Sequence, residues 1–231
     1  MSRIMKQPSA SIPHLLERRL SPSRFGPYLA AAGTHAAAVD LYRWNMSASG
    51  AAYEALHLVE VVVRNAIHTE LEAWHAKQGN GASWLTAPPP VLTSKAKDDL
   101  VKAEEQARRS IEKRCRRLRI APVPAPNPDD VVAQLTFGFW RYMVARRYTH
   151  NLWLNAIRFS FPGAPNLQSV EKPLIQLHAL RNRIAHLEPI HSEDLRARRR
   201  EMLQIVGYVD PRVQSWFSTV ERVQEAINTR P

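Results

Sequence analysis

The chain has 231 residues, 45% of them apolar, with a net charge of +11 and a pI near 10.3. That apolar share can bury a sizeable core, as one domain or two closely packed halves, so disorder is not the expected state. Of the 32 basic residues 25 are Arg, whose planar fork suits phosphate, and an anionic partner follows.

Nucleic acid fits that partner better than a membrane does. No apolar run approaches the ~18 residues of a spanning helix, and the opening MSRIMKQPSASIPHLL lacks the apolar segment of a signal peptide. Cys115 alone allows no internal disulfide and no Cys-rich zinc pattern, and the nine His are too scattered for a zinc site. These observations predict a soluble, cytoplasmic protein without metal or cofactor.

In chain order, the first dozen residues read as a loose arm and residues 14–20 as a short helix. Ser21 or Ser23 suits the cap of the next helix, Gly33 its end, and Thr34 the cap of a further helix through Tyr42. Ser47 or Ser49 then reads as the start of a long helix that carries Leu56 to Trp74. This helix is apolar nearly all round, as buried helices are, and only the stripe His57, Glu60, Arg64, His68 interrupts it. A buried charge needs a partner, so Glu60 and Arg64 are expected to pair with each other at i, i+4 or with groups on a neighbouring helix.

Residues 79–90 read as a loop and 94–119 as a charged helix. There Glu104/Arg108, Glu105/Arg109 and Glu112/Arg116 stand at i, i+4, which favours a solvated face over an RNA-binding one. APVPAPNPDD, residues 121–130, reads as a non-helical proline spacer. It separates halves at 13–119 and 131–228 of a single all-α domain over 1–231. Asp129 or Asp130 is the expected cap of a helix traced by Val132, Leu135, Phe139, Tyr142 and Arg146. Its aromatics, Phe137, Phe139, Trp140 and Tyr142, are weighed as core packing against base stacking, and helical spacing favours the core. Helices are expected at 168–188, 192–207 and 211–228. LRARRRE, residues 195–201, gathers Arg196, Arg199 and Arg200 as a solvated face or an RNA-contacting one. No strand alternation, repeat or Gly-rich phosphate loop is present.

The stretch LHALRNRIAHLEPI, residues 177–190, carries the densest candidate chemistry. Leu177, Leu180, Ile184 and Leu187 fall on one helical face, and Pro189 is expected to stop the helix. Arg181, Asn182 and His186 occupy the remaining face, with Asn182 one turn before His186. A guanidinium, an amide and an imidazole at a helix end suit phosphate handling.

The Arg-x4-His spacing alone is weak, because 25 Arg and 9 His give roughly one such pair by chance. Its context is more specific. RNRIAHLEPI, after an apolar helix and before a proline, resembles the motif of the Abi-like (abortive infection) family of the HEPN superfamily. LYRWNMSASGAAYEALHLVEVVVRNAI (41–67) and LTFGFWRYMVARRYTHNLW (135–153) resemble further segments of that family in the same order. The resemblance covers most of residues 20–205. One position departs from it: the family often has a second His directly after the motif His, where this chain has Leu187.

The resemblance implies a HEPN-type helical bundle, here with additional N-terminal and C-terminal helices. It implies a metal-independent endoribonuclease acting as a toxin or phage-defence effector, a homodimer, and an antitoxin protein or inhibitory RNA as a further partner class. Arg181, Asn182 and His186 match the catalytic motif; Glu60, Arg64 and Asn65 match the E-V-x-x-R-N segment that flanks the active centre. RNA carries its own nucleophile, the 2′-hydroxyl, so the protein supplies proton transfer and charge stabilisation. In this reading His186 moves protons near neutral pH, Arg181 holds the phosphate and Asn182 orients one of them. Some HEPN domains keep the fold without cleavage, and the alternative is a non-catalytic RNA-binding or interaction module in which Arg181 and His186 form an interhelical contact.

Overall fold

One helix of 43 residues forms the axis of the molecule. In this computed structural model, which describes residues 12–79 and 81–231, it is α3 (His35–Lys77). The loose arm expected for the first dozen residues falls on 1–11, outside those described. Thr34 caps α3 by accepting from the Ala37 amide at 3.2 Å.

The two helices expected here, one through Tyr42 and one from Ser47 or Ser49, are a single helix. No proline intervenes, and the join buries Trp44, Ala48, Ala51 and Ala52 against neighbouring helices, so packing carries the helix through a run of modest propensity. Asn45, a poor helix former, sends its side chain into the core, where its Oδ1 accepts the Ile190 amide at 2.8 Å. Gly50 is tolerated as an exposed helical position. The buried stripe Leu41, Trp44, Ala48, Ala52, Leu56, Val59, Val63, Ile67, Leu71 repeats every three or four residues. Its alanines let neighbouring helices approach closely.

The fold is all-α: 74% helical, with no strand among the described residues. Before α3 come α1 (Ile12–Leu20) and α2 (Pro22–Ala32). Gly33 ends α2 as expected, at φ +77°, a left-handed conformation open to glycine. Ser21 holds the cap position of α2 without a side-chain cap bond; its hydroxyl faces that of Ser23 at 3.0 Å instead.

After a loop, α4 (Ser94–Leu118) presents one buried face, Leu100, Ala103, Ala107, Ile111 and Cys115, and is otherwise solvated. Of the three expected pairs along it only Glu105–Arg109 forms, while Arg108 turns forward to Glu112 at 3.4 Å.

The proline spacer is not wholly non-helical. Asn127 and Asp130 form a reciprocal capping box, and Pro128 opens α5 (Pro128–Val132), because a first-turn proline has no amide to lose. The cap therefore lies two residues before the expected Asp129. The single helix traced from Val132 to Arg146 is also divided. Thr136 caps α6 (Phe137–Met143), and short 3-10 and π turns fill residues 146–160.

The remaining helices are α7 (Leu167–Ala185), α8 (Leu195–Val209), α9 (Pro211–Val220) and α10 (Val223–Asn228). Asp194 caps α8, accepting from Ala197 at 2.9 Å. The last expected helix is split at Glu221, whose carboxylate accepts the amides of Val223 and Gln224 and so starts α10.

α3 touches α2, α6, α7, α8 and α10. One apolar core runs from Phe25 to Ala226 through both halves of the chain, and Trp44 Nε1 ties α10 to α3 by donating to the Ala226 carbonyl at 2.7 Å. No helix among the described residues is long and apolar enough to cross a membrane.

Candidate active site

α7 places the motif. Leu174, Leu177 and Leu180 are buried against the core, so the face carrying His178, Arg181 and Asn182 is turned toward α3 and α6. The helix ends at Ala185, three residues earlier than 188, and Pro189 does not stop it. The stop is a Schellman motif: the Leu187 amide donates to the Ile184 carbonyl at 3.0 Å and the Glu188 amide to the Arg183 carbonyl at 2.8 Å. Leu187 holds the left-handed position at φ +57° and is 79% exposed, so it leaves the apolar face to which spacing assigned it.

That position normally takes glycine. Leu187→Gly is expected to stabilise the fold by about 0.5–1 kcal/mol: relief of ~1–2 kcal/mol of left-handed strain is partly offset by ~0.4–1 kcal/mol of added chain entropy. A rise in Tm of about 2 °C would show it; a fall would mean that the side chain contributes packing that outweighs the strain.

The two arginines of RNR have different duties. Arg183 binds the loop that follows, donating Nη2 to the Pro189 carbonyl at 2.8 Å and facing Glu193 at 3.4 Å. Arg181 has no hydrogen bond or ion pair within 4 Å among the described residues, and its Nε is buried without an acceptor. It stands close enough to be the strongest cationic influence on Glu60.

Glu60 is half-buried on α3. Burial pushes its carboxyl above the usual carboxylate range, against the pull of Arg181, then Arg64 and His57, and of the Phe137 amide. No ion pair of Glu60 lies within 4 Å among the described residues, so the i, i+4 contact with Arg64 is one of several longer-range attractions. Arg64 Nε, like that of Arg181, is buried without an acceptor. Asn65 is exposed and lines a separate shallow groove with Val62 and Thr69; it does not join Glu60 and Arg64.

Asn182 does not pair with His186. Its Nδ2 lies 3.3 Å from Nε2 of His178, one turn in the other direction. Neither His178 nor Arg141 is a candidate from sequence, although His178 stands at i−4 from Asn182 and i−3 from Arg181, the helical spacing that also relates Asn182 to His186. Burial, then Arg141 and Arg181, push the His178 imidazole below its ordinary pKa. Near neutral pH it therefore offers a lone pair, not a charge. His186 is the C-cap residue of α7 and exposed; its carbonyl and that of Leu187 accept from Arg24 Nη1 at 3.4 and 2.7 Å. Its ring has no hydrogen bond, ion pair or ring contact among the described residues.

The chain matches no protein-family model, no curated protein and no solved structure.

The arginines downstream do not act as one group. Arg199 is bound to Glu221, Nε to Oε1 at 2.5 Å, and the Glu221 side chain is 2% exposed. This is a structural clamp between α8 and the start of α10, not a free phosphate contact. Arg196 and Arg200 are exposed. Arg196 borders a depression with Trp44, Asp194 and Arg230. Arg199→Ala is expected to cost about 2 kcal/mol, the scale of a hydrogen bond to a charged group, because Glu221 stays buried with only its backbone partners. A thermal melt checks this; unchanged stability with weakened RNA binding would return Arg199 to the RNA surface.

Proposed function

We propose that the chain is a metal-independent endoribonuclease of the Abi-like HEPN type, a cytoplasmic toxin or phage-defence effector. The observation that carries this reading is the state of Arg181. It is the motif arginine, on a face shared with Asn182, and it has no ion-pair partner within 4 Å while the neighbouring Arg183 is consumed by the loop. A half-buried guanidinium held in this way, with a second buried Nε on Arg64, is suited to an incoming phosphate.

In the proposed reaction the 2′-hydroxyl oxygen attacks phosphorus and the bond to the 5′-oxygen breaks. One imidazole removes the 2′ proton and another protonates the leaving oxygen. Arg181 offsets the charge that builds on the phosphoryl oxygens. Glu60 contributes a longer-range attraction to Arg181 from α3. One chain exposes one motif histidine, so a second copy across an isologous two-fold interface supplies the other. An antitoxin protein or inhibitory RNA would act by covering this face.

The donor set supports an ion-free mechanism: the groups at the motif are cations, an amide and imidazoles, and no cluster of three or more His, Cys, Asp or Glu among the described residues could hold a metal. Purified protein incubated with total RNA in excess chelator should yield 2′,3′-cyclic phosphate and 5′-hydroxyl ends. Activity restored only by magnesium, or 5′-phosphate ends, would overturn the mechanism. RNA binding without cleavage would favour the non-catalytic module.

A further inference from the structure

Beside the motif lies a cavity of about 260 Å³ between the start of α4, α6 and His178. We propose that it is a nucleobase subsite, taking one base of the RNA strand whose phosphate the motif binds. The proposal rests on the ribonuclease reading for the strand but on separate residues for the base.

The argument begins with Tyr142. Of the four aromatics of the 137–142 segment, Phe137, Phe139 and Trp140 are buried, at 1%, 5% and 0% exposure, and only Tyr142 is turned out, at 46%. The Arg141 guanidinium lies over one face of its ring, 4.3 Å from the centre, so fork and ring are stacked planes lining the cavity, and a base would stack on the free face of either. Flat cationic and aromatic surfaces are what a base stacks on.

The walls are suited to the same ligand. Ala96, Phe139 and Met143 supply apolar contact. Thr93 and Thr136 also line the cavity, and each uses its hydroxyl oxygen to accept a helix-capping amide, from Ala96 at 3.2 Å and from Phe139 at 3.3 Å. Each hydroxyl proton remains available to donate to the carbonyls or ring nitrogens of a base edge.

Charge and size narrow the choice further. Lys95, Arg141 and Arg147 stand at the rim against one carboxylate, Asp99, which Lys95 already engages at 2.8 Å. The volume falls below the range of about 300–1,000 Å³ typical of sites for larger ligands, which fits one ring system with part of its sugar. His178 joins the two sites: it lines the cavity and lies 3.3 Å from Asn182. A Cβ at Gly138 would come within 3.0 Å of His178 Nε2, so glycine leaves that wall of the cavity open.

Calorimetric titration of the full chain with inorganic phosphate, 5′-UMP, 5′-AMP and an uncleavable 2′-deoxy trinucleotide tests this. A nucleoside monophosphate should bind at least tenfold more tightly than phosphate, and the trinucleotide more tightly again because a flanking phosphate reaches Arg181. Tyr142→Ala should weaken nucleotide binding by about tenfold, within the range that stacking one base supplies, leave phosphate binding unchanged and retain the wild-type circular dichroism. Tyr142→Phe should bind as wild type. Nucleotides no tighter than phosphate, or no effect of Tyr142→Ala, would overturn the subsite while leaving the chelator assay to judge the nuclease. A trinucleotide no tighter than the monophosphate would replace the RNA strand with a free nucleotide and overturn that assignment.

Discussion

His186→Ala is expected to lower RNA cleavage by about 10²–10⁴-fold, the range contributed by a positioned proton-transfer group. The fold should be unaffected. The ring makes no hydrogen bond, ion pair or ring contact among the described residues, and the bonds that end α7 at this point are made by the backbone of residues 186–188, which alanine retains. A melting temperature equal to wild type with activity lost would therefore assign the effect to chemistry. The same variant tests assembly. If each active centre draws one imidazole from each of two copies, excess His186→Ala chain, mixed under conditions of subunit exchange, should depress activity below that of the same wild-type amount alone. Full activity after proven exchange, or an active monomer in sedimentation, would remove the shared site. His68 and His191 are poor substitutes within one chain. The first accepts from Trp84 Nε1 at 3.1 Å, and the second packs against Tyr28, their ring centres 5.2 Å apart.

Arg181→Ala is expected to cost about 10²–10³-fold in rate, as removal of one transition-state donor does, and also to alter stability in a pH-dependent way. Arg181 is the largest attraction that opposes the burial of ionised Glu60. Without it the Glu60 carboxyl rises further in the folded state. A carboxyl whose folded pKa lies above its unfolded value binds its proton more tightly when folded, so stability is fullest below the unfolded pKa and declines as pH rises through the folded one. The variant should thus match wild type in acid and fall behind it toward pH 7 to 8. Adding Glu60→Gln should recover most of that loss, because the neutral amide leaves no buried charge, but should recover no activity. Melting curves from pH 4 to 8 on the two single variants and the double variant decide the point. Parallel curves would mean that Arg181 and Glu60 do not sense each other.

Much of the core and several helix ends are legible in the sequence because their causes are local. Three- and four-residue spacing of Leu177, Leu180 and Ile184 defines the buried face of α7, and Thr34, Gly33 and Asp194 act on amides and carbonyls within a turn of themselves. The choice of Arg181, Asn182 and His186 as one face has the same origin. Local signals also misled where two were in competition. Ser47 and Ser49 suggested a new helix start, yet burial of Trp44, Ala48, Ala51 and Ala52 around them holds α3 continuous. Pro189 suggested a stop, yet the backbone had already turned at Leu187.

The sequence by itself determined an all-α chain, its apolar faces and the residue types at the motif, since periodicity, propensity and charge need no knowledge of what lies opposite. Only the tertiary structure decided the partners. Whether Glu60 answers to Arg64 on its own helix or to Arg181 on α7 depends on how those helices cross, and Glu221 claims Arg199 across 22 residues of chain. His178 became part of the site because α6 brings Arg141 and Gly138 against it. A side chain's duty is set by the charges and hydrogen-bonding groups within a few ångströms of it. For long, flexible Arg and Glu those neighbours come from elements distant in sequence, and no spacing rule along one helix can supply them.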